Sequence, residues 1–364
     1  MMNNASALSF LDAAFRKMYP QDYECRQSAE QRLKHLAMTP WAMGDLIDLA
    51  VDLAGMTRSL QPPVGRKKMV MMVGDHGVAA EGVSHHPDEA TAETVRRFAG
   101  GGAGLNGLAG GAGAGIYVVD VGIREDLTDL AQAGKILVKK IGRGTTNMVY
   151  GPAMTRTHAV MAVEAGIEVA DALAAEVDVF ALGELEAGAD VSSAAIAAVF
   201  TGKKVAELVG HDVDSGGGLD EERLRNRIAV IDKALARNKP NAKDGLDVLA
   251  KVGGFEIGAM AGLIIGAAGQ RKPVIIDGFA SAAGAMIACS LEPFARDYLV
   301  CARQSLELGH GALLAKLQRK PLLACNLRLG VGAGAALAMH VVDAAAALLA
   351  AAAACAKVDV RDGQ

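Results

Sequence analysis

Residues 177–196 read Val177-Asp-Val-Phe-Ala-Leu-Gly-Glu-Leu-Glu-Ala-Gly-Ala-Asp-Val-Ser-Ser-Ala-Ala-Ile196. The stretch opens with a short apolar run that reads as a buried strand, breaks at Gly183, and enters an alanine-rich helical pattern near Ser192. A strand, a glycine-bearing loop and a helix N-terminus make an anion cradle, because free backbone N–H groups and the helix dipole point at the loop. This loop, however, carries Glu184, Glu186 and Asp190. Two unit negative charges about 4–5 Å apart repel by roughly 3–4 kcal/mol at an effective dielectric near 20, and a bound phosphate meets the same penalty. The backbone favours phosphate and the side chains oppose it.

The 364 residues suffice for one large α/β domain or two unequal ones. Aromatic residues are only 4% against 51% hydrophobic, so Ala, Val, Ile, Leu and Met must build the core. A net charge of −4 gives no bulk attraction to nucleic acid or an anionic membrane. Five scattered cysteines lack C-x-x-C spacing, which reads as reduced thiols of a cytoplasmic protein and suggests no zinc site. Residues 1–16 show no signal-peptide pattern. The apolar run 332–356 is interrupted by His340 and Asp343 and reads as a buried C-terminal helix rather than a membrane span.

Outward from the opening stretch, helical spacing covers residues 5–60, and Lys68–Val73 reads as the first buried strand. It runs straight into Gly74-Asp75-His76-Gly77, at the carboxyl end of a strand, where ligands bind in open α/β sheets. Asp75 and His76 suit a sugar hydroxyl, or equally a turn bonded to its own backbone. His85-His86 has no further ligand spacing and makes a weak metal motif. A helix is expected over 88–99, capped by Asp88. Gly102–Gly107 matches G-x-G-x-x-G by letter but follows a helical segment, which argues against a dinucleotide site; no cofactor is expected. Strands are expected at 116–121, 136–141 and 274–276, with helices over 156–175 and 219–236 and Pro152 at a first helical position. Asp277 and Ser281 follow the 274–276 strand, and Arg227 on its helix is able to turn toward an anion. Strands alternating with helices predict an α/β fold: a parallel sheet with helices on both faces, plus a small helical domain built from the chain ends.

Taken in order, several blocks resemble the nicotinate-nucleotide:dimethylbenzimidazole phosphoribosyltransferase family. They are Asp75–Ser84, Phe98–Asn106, Val119–Gly122, Gly151–Arg156, Leu246–Ile257, Val274–Phe279 and Leu327–Ala336. The resemblance implies a parallel α/β sheet, a dimer and no metal. It also implies N-glycosyl chemistry, in which an aromatic base displaces nicotinate from nicotinate mononucleotide with inversion at the anomeric carbon. The incoming base needs a carboxylate to take its proton, and the phosphate needs helix-end N–H groups and a cation. Carried over by position, the implied substrate-binding set is Asp75, His76, Ser84, Gly183, Glu184, Gly188, Arg227, Asp277, Ser281, Gly330 and Gly332.

Three positions depart from the family pattern. Val331, between Gly330 and Gly332, stands where the family's Leu-Gly-Glu-Gly motif places its catalytic glutamate, and loss of a general base removes roughly 10²–10⁴ in rate. Glu186 replaces a phosphate-loop glycine, and Ala189, Asp190 and Val191 replace Asn-Thr-Thr. Arg227 takes the place of a phosphate-binding lysine. Together these predict a catalytically impaired subunit, paired with an active paralogue in a heterodimer or with itself. The alternatives are an active enzyme using phenol, p-cresol or a benzimidazole, with Glu184 or Glu93 as substitute base, and a non-catalytic small-molecule binder. The expected divisions are a helical arm at 1–60 shared with the C-terminal end, an α/β domain at 61–340, and a C-terminal helix and tail at 341–364.

Overall fold

The computed structural model describes residues 11–36, 40–83, 90–184, 188–210, 221–327 and 331–359. Seven strands form one wholly parallel sheet: β1 (Lys67–Gly74), β2 (Ala114–Gly122), β3 (Leu137–Val138), β4 (Val179–Glu184), β5 (Val274–Ile276), β6 (Leu299–Arg303) and β7 (Pro321–Leu323). Their spatial order is β3-β2-β1-β4-β5-β6-β7. The chain works outward from β1 to one edge, returns to the middle at β4, and works outward to the other. Because parallel crossovers are right-handed, the two halves lay their helices on opposite faces. The expected α/β class holds.

The sheet interior follows from composition. Met69 to Val73 of β1 and Val179 to Leu182 of β4 are completely buried, as continuous aliphatic runs covered on both sides must be. The helix Phe255–Gly269 supplies much of one layer, with every residue from Phe255 to Ala268 buried. It lies against the helix Arg156–Leu173 at backbone contact distance. A Cβ on Gly166 would fall 1.9 Å from the Ala259 carbonyl oxygen, and one on Gly262 would fall 1.8 Å from that of Val163. Only glycine permits that approach, so the small-residue bias of the sequence is spent on close helix packing.

Several boundaries differ from expectation. The helix at 156 begins after Thr155, whose side chain accepts the His158 N–H at 3.1 Å. Pro152 therefore sits in the preceding turn and not in the helix. The strand expected at 136–141 has only Leu137 and Val138 in the ladder, as suits a sheet edge. Asp88 and the His85-His86 pair lie outside the described residues.

Helices from the first and last parts of the described chain meet. The long helix Ala333–Asp359 packs against the helices Tyr23–Leu33 and Asp45–Thr57 and against β4 and β6. Its buried positions Ala338, Met339, Val342, Ala345, Leu349 and Ala352 recur at helical spacing. Lys67 at the start of β1 pairs with Asp343 at 2.8 Å. Because this helix runs unbroken through residues 340 and 341, the boundary expected there falls inside a single element. Among the described residues, Ala333–Ala354 is the one stretch long and apolar enough to cross a membrane, and 44% of its most apolar part is buried inside the protein.

Candidate active site

The strand order reverses between β1 and β4. Loops leave these two strands in opposite directions, which opens a crevice at their carboxyl ends. Asp75 and His76 follow the end of β1; Gly183 and Glu184 end β4, in register with Met71 and Met72. The loop entering the last helix closes on the same place. A Cβ on Gly183 would lie 2.9 Å from the Val331 carbonyl oxygen, and one on Gly332 would lie 3.4 Å from the Gly183 Cα. Gly183, Val331 and Gly332, distant in sequence, are thus brought into contact. Val331 holds φ at 53°, a left-handed conformation that is an outlier for a β-branched residue. Its isopropyl group offers no atom that accepts a proton.

Behind this rim runs a buried polar chain. Ser192 Oγ lies 3.0 Å from His76 Nδ1, and His76 Nε2 lies 2.7 Å from Glu256 Oε1. All three side chains are at most 1% exposed. Burial works to neutralise His76, but the Glu256 carboxylate, helped by Asp75 and Asp190, outweighs it and holds the imidazole above its ordinary pKa. Asp75 accepts the Arg124 backbone N–H at 2.7 Å through Oδ2, while burial pushes its pKa up. Asp75 Oδ1 and Glu256 Oε2 are buried with no hydrogen-bond partner among the described residues.

The helix after the loop starts at Ala189, three residues earlier than its alanine pattern indicates. Gly188 is the N-cap at φ 94°, which an L side chain rarely adopts. Asp190 therefore lies in the first helical turn, where the macrodipole favours an anion. Arg227, 8% exposed, donates to the Val83 carbonyl through Nε at 2.8 Å and pairs with Asp190 through Nη2. Helix end and cation thus hold a carboxylate of the chain itself.

The remaining candidates sort by position. Asp277 is buried beyond β5, where burial raises its pKa against the pull of Arg303, 2.9 Å away in an ion pair. Its Oδ2 accepts the Ala335 N–H at 3.1 Å, so it anchors the first turn of the long terminal helix. Ser281 is fully buried and donates to the Gly278 carbonyl at 3.0 Å, a bond across the start of its own helix. Glu93 is exposed and paired with Arg97 one turn on, at 2.5 Å, which removes the geometric case for it as a base. Glu184 contributes its backbone to β4; Ser84, Glu186 and Gly330 lie outside the described residues.

Sequence reasoning missed Glu256, Ser192 and Arg303. A signal existed for Glu256: it is the single charged residue in the otherwise apolar helix Phe255–Gly269. Burying a carboxylate there requires a partner, and His76 is that partner.

With this geometry in place, comparison with known proteins is specific. A family model described as Phosphoribosyltransferase matches residues 18–360. The nicotinate-nucleotide–dimethylbenzimidazole phosphoribosyltransferase of Desulfotalea psychrophila is 51% identical over 94% of this chain and 96% of its own length. That of Syntrophotalea carbinolica is 50% identical with the same coverage. The crystal structure of the corresponding enzyme from Thermus thermophilus superimposes with a TM-score of 0.83 at 37% identity, covering 90% of this chain and 96% of that one. The chain belongs to this phosphoribosyltransferase family.

Proposed function

We propose that this chain serves phosphoribosyl transfer from nicotinate mononucleotide to an aromatic base in cobamide assembly, as the catalytically impaired member of a pair with an active relative. The family match over residues 18–360 and the relatives' printed activity support the first half. One observation carries the second. At the switch-point crevice, the anion position at the helix end is taken by Asp190 paired with Arg227, while Val331 lies against Gly183 without a proton acceptor.

The reaction makes both features matter. The attacking base nitrogen forms a bond to the anomeric carbon as the bond to nicotinate breaks, and the product then sheds a proton. A carboxylate near the attacking atom takes that proton in an active site. Nicotinate mononucleotide also brings a phosphate, which Asp190 opposes electrostatically and competes with for Arg227. Helical segments from both chain ends support a small domain shared between residues 1–60 and the C-terminal helix.

The test is purification of the chain alone and with co-expressed family members, followed by nicotinate-release assays with benzimidazole and phenol. The proposal expects a 1:1 complex and turnover only in the complex. Nicotinate release by the lone chain at the rate of the complex overturns it.

A second reading is favoured by the 51% identity to a relative named for the complete activity. In it the chain is an active transferase whose acceptor, such as phenol or p-cresol, attacks through oxygen, with Glu184 as base. Turnover by the lone chain that Glu184→Gln abolishes selects this reading.

A further inference from the structure

The His76 imidazole stands between two helix starts. Its Nδ1 faces Ser192 in the first turns of the helix Ala189–Thr201, and its Nε2 faces Glu256 in the first turn of the helix Phe255–Gly269. Two glycines leave room for it. A Cβ on Gly188, the N-cap of the first helix, would lie 3.5 Å from His76 Cβ. One on Gly254, the N-cap of the second, would lie 2.4 Å from His76 Cε1 and 2.1 Å from Glu256 Oε1.

A core that needed only a hydrogen bond here is served by a neutral ring, the form that burial favours. The charges around the ring favour the imidazolium instead. Glu256 acts most strongly, followed by Asp75 on its own loop and Asp190 on the helix end. Arg124, from the segment after β2, donates to the His76 carbonyl oxygen at 3.3 Å and not to the ring. With both nitrogens protonated, Nδ1–H donates to Ser192 Oγ and Nε2–H donates to Glu256 Oε1.

Asp190 connects this chain to the crevice. Its carboxylate holds the anion position at the helix end, paired with Arg227, and it also favours a charged His76. The coupling is reciprocal: an anion that stabilises the imidazolium from that position is stabilised by it in return. A substrate phosphate placed there meets the same attraction. His76 is 1% exposed, so it acts by its charge and through Ser192 without touching a ligand. We infer that His76 and Glu256 are positioning residues of the phosphate subsite: the imidazolium supplies a second cation under the helix end beside Arg227, and Glu256 keeps it charged. The inference rests on the reading of that helix end as the phosphate position.

Sulfate tests it, because sulfate stays a dianion between pH 5.5 and 9 and does not titrate with the site. Its affinity is measured by calorimetry on the full chain carrying Asp190→Thr, which clears the anion position, while NMR follows the His76 titration. Saturable binding is expected, with an affinity that falls about tenfold as His76 loses its proton; sulfate then tightens proton binding at His76 by the same factor. Adding Glu256→Gln is expected to move this fall to lower pH and to leave the acid-side affinity intact, a recovery that a merely loosened fold does not show. Adding His76→Gln is expected to give weak binding at every pH, and it carries the test should Glu256→Gln fail to fold. Sulfate affinity that ignores the His76 titration, or a fall that Glu256→Gln leaves at the same pH, overturns the inference while the helix end remains an anion site. Absence of saturable binding at every pH overturns it together with the phosphate-position reading. The impaired-subunit reading is decided separately, by nicotinate release.

Discussion

His76 Nε2 and Glu256 Oε1 are 2.7 Å apart, although 180 residues separate them in the chain, and neither side chain reaches solvent. The contact ties the carboxyl end of β1 to the first turn of the helix Phe255–Gly269, and Ser192 extends it to the helix Ala189–Thr201. Removing one member of a buried charged pair leaves the other unpaired, at about 3–5 kcal/mol. Glu256→Ala is therefore expected to destabilise the fold by that amount in urea denaturation. Glu256→Gln, which keeps a hydrogen-bond acceptor, is expected to cost less.

The same pair sets a pH dependence. The folded-state pKa of His76 is raised, so its stabilising contribution is complete below the unfolded value near 6.5 and is lost as pH rises through the folded value. His310 acts in the opposite sense. It is fully buried, its Nδ1 accepts from Ser305, and burial pushes its pKa down to about 3. The unfolded chain therefore binds a proton at His310 that the folded chain refuses, and stability falls by about 1.4 kcal/mol per pH unit below about 6.5. Urea midpoints measured from pH 7 to 5 are expected to drop in the parent and to flatten in His310→Asn.

Asp190 and Arg227 predict the nucleotide affinity. Asp190→Thr removes the carboxylate from the helix end and releases Arg227 from its ion pair. Affinity for nicotinate mononucleotide, read by calorimetry, is expected to rise at least about tenfold, the equivalent of 1.4 kcal/mol. Unchanged affinity would show that the ion pair does not compete with the phosphate.

Val331 gives two opposed expectations. Val331→Glu supplies a carboxylate at the rim, and in the Asp190→Thr background nicotinate release is expected to rise by roughly 10²–10⁴ if the missing base limits turnover. Val331→Gly relieves the left-handed valine at φ 53° and is expected to raise stability by about 1 kcal/mol without restoring turnover.

Cys301 and Cys289 are expected to resist alkylation in the folded protein, because burial pushes both thiols to about 12 and little thiolate exists at neutral pH. Mass spectrometry after iodoacetamide treatment at pH 8 checks this, with the half-buried Cys325 as the internal comparison.

The legible parts of the chain were those with a local signal. The aliphatic run before Gly74, the strand Val274–Ile276 and the alternation of strand with helix follow from side-chain periodicity, which is a property of neighbouring residues. The start of the helix at Ala189 was not legible from its alanine pattern. A left-handed glycine at 188 and the dipole preference for Asp190 begin the helix before the pattern does. Asp277 and Ser281 were correctly placed after a strand, but their bonds go to Ala335 and Gly278. Position along the chain does not tell which way a side chain hydrogen-bonds.

The sequence by itself determined the class of fold, the family and the chemical oddity of Val331 and Asp190, since each depends on residue identity and order alone. Only the tertiary structure decided that Asp190 neutralises Arg227, that Val331 closes against Gly183, and that Glu256 stands behind His76. Those contacts join segments dozens to nearly two hundred residues apart, and strand order in the sheet, not sequence proximity, sets their distances.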